Sequence, residues 1–271
     1  MIDSHVHVWT DDFDRFPRVW PGSEFQPLHF PPASFLRHSL PNGVRRAVLI
    51  QMSFYGFDNS YMLDCMRQHP GLFAGIGVVD SESAEVAERM KQLAAQGVRG
   101  FRIHTESAPD EWLAAPGMQT MWRYAADHEL AVCPLVNPEA LGALDRMCGQ
   151  HPETPVVVDH LGRIGVDGEI RADEVTQLCS LARHEKVYVK VSAFYALGRR
   201  QPPYPDLVPF IRKVFDAFGP RRLMWGSDCP FQLEDGHSYA GSLALIQDGL
   251  PFLSEEDKSW ILGRTAEMLF F

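Results

Sequence analysis

The sequence predicts an α/β protein, a single (β/α)8 TIM barrel forming one domain over residues 1–271, with a long aromatic and proline-rich loop after the first strand. Three observations lead there. Eight short apolar runs rich in β-branched residues recur along the chain. Helix-type patterns separate them. Polar and charged residues gather where the runs end.

The runs are IDSHVHV (2–8), RAVLIQM (46–52), LFAGIGVV (72–79), VRGFRIH (98–104), LAVCPLV (130–136), PVVVDH (155–160), VYVKVS (187–192) and RLMWGSD (222–228). Most are continuous rather than alternating, as in parallel strands covered on both faces. SAEVAERMKQLAAQG, MQTMWRYAADHE, EALGALDRMCGQH, ADEVTQLCSLARHE and VPFIRKVFDAFG read as the intervening helices. The longest connection, from Trp9 to Asn42, carries Phe13, Phe16, Trp20, Phe25 and Phe30 and is too proline-rich for a long helix. At the end of a barrel strand such a loop either covers the active-site mouth or plugs the barrel's edge. A second long segment, Phe194 to Leu207, follows strand seven.

Composition narrows the function. A net charge of -10 argues against nucleic-acid binding, which needs basic surface. It leaves a small anionic substrate open, because a few arginines can make a local positive pocket. The five cysteines (65, 133, 148, 179 and 229) form no C-x-x-C pair and read as reduced thiols of a cytoplasmic protein. No leader pattern opens the chain, and no apolar run approaches the roughly 20 residues of a membrane span. A homo-oligomer stays open.

Catalytic residues of a barrel sit at the C-terminal ends of its strands. Here those ends carry His5 and His7; Gln51, Met52 and Ser53; Arg102 and His104; Asp159 and His160; Lys190 and Ser192; and Asp228. His5 and His7 lie two apart on a strand and so share a face. Such a pair can bind a metal or donate two hydrogen bonds to one oxygen. The bland reading is a solvated edge strand. Asp228, in W-G-S-D-C-P, is a candidate general base for water, against the bland reading of a turn cap. His160 follows V-V-V-D and could instead pack at a strand terminus. His104 reads as a pocket residue or a cap partner; the other histidines, His237 among them, read as solvated.

The ordered set D-S-H-V-H-V-W, D-H-L-G-R and W-G-S-D-C-P resembles the amidohydrolase-related "amidohydrolase 2" barrels over essentially the whole chain. That group contains sugar-lactone and 2-pyrone-4,6-dicarboxylate lactonases and metal-dependent decarboxylases. V-L-I-Q-M-S-F-Y-G-F-D-N-S, G-V-R-G-F-R and V-K-V-S-A-F-Y resemble the pyrone-dicarboxylate branch. The resemblance implies a hydrolase opening a carboxylated or sugar-type lactone. Two departures stand out. Strand five reads A-V-C-P-L-V, with Cys133 where metal-using relatives place a histidine, and the motif after Asp228 is C-P-F rather than W-P-H. The incomplete ligand set predicts no metal. The alternative is one zinc on His5, His7, His160 and Asp228.

The expected chemistry has His5, His7 and His160 polarising the lactone carbonyl while Asp228 takes a proton from the attacking water. Arg102, Lys190, Arg163 and Arg199 are candidate clamps for substrate carboxylates. Ser53, Tyr55 and Tyr195 are assigned to substrate chiefly through the resemblance. A metal-dependent decarboxylase and a non-catalytic binding barrel are the competing readings.

Overall fold

A computed structural model describes residues 1–19, 26–104 and 108–271. Its eight strands are β1 (Ile2–Val6), β2 (Arg46–Ile50), β3 (Phe73–Gly77), β4 (Val98–His104), β5 (Ala131–Leu135), β6 (Val156–Val158), β7 (Val187–Ser192) and β8 (Leu223–Gly226). They pair in parallel in sequence order. Each lies within one of the eight apolar runs, and helices or helical turns fill the intervals.

The barrel closes between β8 and β1. The His7 N–H donates to the Cys229 carbonyl at 2.8 Å, the Asp228 N–H to the His5 carbonyl at 2.9 Å, and the Ser227 N–H to Asp3 Oδ1 at 2.8 Å. Gly226 makes this seam possible. A Cβ there would lie 2.7 Å from His5 Cβ and 3.0 Å from His5 N, so no larger residue fits while β1 stays in place.

Two apolar layers follow from the period of two along each strand. Ala47, Leu49, Val132, Val156, Val158, Val189 and Trp225 face outward into the helices. Ile2, Val48, Ile50, Ala74, Ile76, Ala131, Cys133, Val157 and Met224 fill the barrel interior, which Phe270 closes from below. One more inward step along several strands brings polar residues: Arg102 on β4, Lys190 and Ser192 on β7, Asp159 just past β6 and Asp228 just past β8. The barrel is therefore oily at its base and charged at its C-terminal rim.

The segment after β1 is only partly irregular. Trp9 bridges Phe30, and Pro32–Ser39 forms a helix. Phe16 and Phe30 are buried while Phe13 is exposed; Trp20 and Phe25 lie outside the described residues. Among the described residues no helix is long and apolar enough to cross a membrane.

Candidate active site

A cavity of about 920 Å³ opens at the C-terminal rim. Its polar lining includes His7, Gln51, Ser53, Arg102, His104, His160, Arg163, Tyr195 and Asp228. Its apolar walls include Met52, Phe57, Val78, Leu135, Val166, Leu197 and Phe231.

Local backbone sets the side chains. A register shift between Asp3 and Val6 re-aims the end of β1, so that Val6 packs outward while His5 and His7 meet over the barrel axis. The turns after β6, β7 and β8 pass through the left-handed region at His160, Leu161 and Arg163 (φ 53°, 54° and 56°), at Ala193 (φ 56°) and at Asp228 (φ 60°). Such conformations cost of order ~1 kcal/mol or more per non-glycine residue, and they cluster where side chains must point into a site.

Asp228 is the centre. Its Oδ1 lies 3.2 Å from His7 Nε2 and 3.5 Å from His5 Nε2. Its Oδ2 accepts a 2.7 Å hydrogen bond from the Tyr195 hydroxyl and lies 3.7 Å from His160 Nε2. Burial pushes this carboxyl up, but His160, His7 and His5 outweigh burial and hold it well below the ordinary carboxylate range. Burial lowers His160 to about 4 and His5 well below its usual value, so both are neutral at pH 7. Burial and the Asp228 charge push Tyr195 far up, keeping its hydroxyl a donor. Ser192 Oγ holds His160 Nδ1 at 2.8 Å, and the Ile50 carbonyl accepts from His7 Nδ1 at 3.0 Å.

Beneath lies a second charged layer. Lys190 and Asp159 are fully buried, with Lys190 Nζ 2.9 Å from Asp159 Oδ1 and 3.2 Å from His5 Nδ1. Asp159 Oδ2 lies 3.5 Å from Arg102 Nε. Burial opposes the Asp159 charge, but Lys190, His5 and Arg102 hold it well below the usual carboxylate range.

Seven of the expected residues line the cavity: His7, Ser53, Arg102, His160, Arg163, Tyr195 and Asp228. His5 and Lys190 sit under its floor. Tyr55 is buried behind the wall and accepts the Thr10 N–H at 3.2 Å, and Arg199 is exposed, its N–H bound to Asp206 Oδ2 at 2.8 Å. Lys190, Tyr55 and Arg199 are thus not on the cavity surface. Asp159 acquires a larger part than its place in D-H-L-G-R suggested; its adjacency to His160 was the available signal.

His5 Nε2, His7 Nε2 and Asp228 Oδ1 lie 3.2–3.5 Å apart. A tetrahedral ion with bonds of ~2.05 Å would hold its ligands roughly 3.3 Å apart, so the spacing alone suits a divalent metal. Asp228 Oδ1 is also buried without a hydrogen-bond partner. The outer contacts divide. His7 donates its other nitrogen to a carbonyl, as metal-bound histidines do, whereas His5 turns its other nitrogen to an ammonium. His160 lies outside this trio.

The amidohydrolase profile of the "amidohydrolase 2" type matches residues 2–271. The chain belongs to this family. A curated relative, an L-fucono-1,5-lactonase from Burkholderia ambifaria, is 29% identical over 98% of this chain and 93% of its own. A 2-pyrone-4,6-dicarboxylate hydrolase from Comamonas testosteroni is 29% identical over 84% and 76%. Among solved structures, a probable 2-pyrone-4,6-dicarboxylic acid hydrolase from Acinetobacter baumannii, with citric acid bound, superposes with a TM-score of 0.84 at 26% identity, covering 99% and 98% of the two chains.

Proposed function

We propose that this amidohydrolase-family protein opens the ring of an anionic lactone by hydrolysis, with Asp228 as the base. The observation that carries the reaction is the buried Asp228 carboxylate at the edge of the cavity, with the imidazoles of His7, His5 and His160 at 3.2, 3.5 and 3.7 Å. Curated relatives named as lactone hydrolases support the ester class.

The chemistry follows from donors and acceptors. Asp228 accepts a proton as water attacks the ring carbonyl. Tyr195, which cannot ionise here, keeps Oδ2 oriented. His160 has Nδ1 2.8 Å from the Ser192 hydroxyl; in the tautomer with its proton on Nε2, it donates to the carbonyl oxygen as negative charge develops there. When the tetrahedral intermediate collapses, the C–O bond to the ring oxygen breaks. The proton on Asp228 then passes to that leaving oxygen, which restores the carboxylate. His7 and His5 brace Asp228 from the β1 side.

The cavity favours a substrate with acidic groups over a polyhydroxylated sugar lactone. The Arg163 guanidinium has no ion-pair or hydrogen-bond partner among the described residues. Arg102 lies 3.5 Å from Asp159 through Nε and also borders the cavity, where its guanidinium can meet a ligand. Neutral hydroxyl partners are fewer, since Gln51 already donates to the Asp58 carbonyl and much of the wall is apolar. The test is proton release from a panel of carboxylated and sugar lactones, with chelator-treated and untreated enzyme. Turnover of the carboxylated esters supports the reading; inertness toward all lactones sinks it and moves a decarboxylase to the front.

A further inference from the structure

We propose that Lys190 sets the tautomer of His5, and so keeps the His5–His7–Asp228 triangle a proton-bearing site that rejects a divalent cation. An ammonium has three donors and no acceptor. An imidazole nitrogen 3.2 Å from Lys190 Nζ must therefore offer its lone pair, and that nitrogen is His5 Nδ1. The ring proton of neutral His5 is then on Nε2. This is the atom facing His7 Nε2 at 3.3 Å and Asp228 Oδ1 at 3.5 Å.

A metal ion at that point needs a lone pair from each of the three atoms. Lys190 places a proton among them. The opposite tautomer would let His5 Nδ1 donate to Asp159 Oδ1, 3.3 Å away, but it would set that N–H against the ammonium. Lys190 cannot readily turn aside. It has no exposed surface, and Asp159 holds it at 2.9 Å. Its charge also opposes a dication bound one imidazole ring away. The spacing of a ligand set is retained while the protonation needed to use it is not. Lys190 is thus a positioning residue, acting through His5 rather than on substrate.

Two measurements test this, and neither depends on which lactone is opened. In the first, zinc is titrated into chelator-stripped wild type and Lys190→Met against a chromogenic chelator. Zinc affinity at least 100-fold tighter in the variant is expected; wild type binding zinc as tightly as the variant overturns the proposal. Removing Lys190 leaves Asp159 with less compensation, so the variant could fail to fold. The second measurement therefore uses wild type, with long-range proton–nitrogen NMR of the His5 ring assigned by comparison with His5→Gln. A protonated Nε2 and a bare Nδ1 are expected. A proton on Nδ1 overturns the proposal, whatever lactones turn over.

Discussion

In the proposed reaction Asp228 takes the proton and Tyr195, donating to its Oδ2, orients it. Asp228→Asn removes the proton acceptor while keeping the shape, so kcat should fall about 10³-fold with little change in KM. Single-lactone kinetics decide it, and a kcat within tenfold of wild type would contradict the assignment. Tyr195 donates to Asp228 in its charged form, and a donor to the charged form lowers a carboxyl's pKa. Tyr195→Phe should therefore move the acidic limb of the kcat/KM profile to higher pH, where wild type is still flat. An unchanged limb would make Tyr195 merely structural. Arg163, without a counter-ion among the described residues, should act on binding: Arg163→Met is expected to raise KM roughly 10-fold or more for carboxylated lactones and little for uncharged esters.

At the level of elements, the strands were readable because fully buried parallel strands announce themselves as continuous apolar runs, and all eight appear where such runs lie. The polar rim was readable for a related reason, since few charges interrupt those runs except at their ends. What the linear pattern could not supply was direction. Lys190 looks like any strand-end cation, yet its inward position on β7 carries it under the floor to Asp159 and His5. Arg199, a few residues on, is left at the surface. His237, which reads as a solvated loop histidine, instead receives the Tyr204 hydroxyl within 2.8 Å and stacks on its ring, tying the β7 and β8 loops together. The register shift in β1 that turns both histidines inward is equally invisible in D-S-H-V-H. Gly226 links element to site. Gly226→Ala would force β1 away from β8 at His5, and a loss of about 1–3 kcal/mol is expected, read as a lower Tm accompanied by lower kcat.

Across the whole molecule, opposing buried charges shape the response to acid. His160 is held neutral, with its pKa near 4 instead of 6.5, so between those values the unfolded chain takes up a proton that the native state refuses. Stability from this group, roughly 3 kcal/mol, is lost as pH falls through that window. His5 acts in the same direction. Asp3 works the other way. Burial raises it to about 6, so its contribution is present below the ordinary value of 3.8 and lost as pH rises through 6. The acid slope of Tm from pH 6.5 to 4 should therefore be steeper in Asp3→Asn than in wild type, and a shallower slope would contradict the balance. The same charges make the site legible as a unit: Asp159 is matched by Lys190 and Arg102, Asp228 is surrounded by His5, His7 and His160, and the Arg163 side chain has no counter-ion among the described residues. The apolar walls, drawn from β5, from residues just past β2 and β3 and from several loops, emerge only when the barrel closes. The measurement that bears most directly on the central claim is proton release from a carboxylated lactone by chelator-stripped wild type and Asp228→Asn side by side. Turnover by the stripped wild type that is lost in the variant is the predicted result; no turnover by wild type, or equal turnover by both, would contradict it.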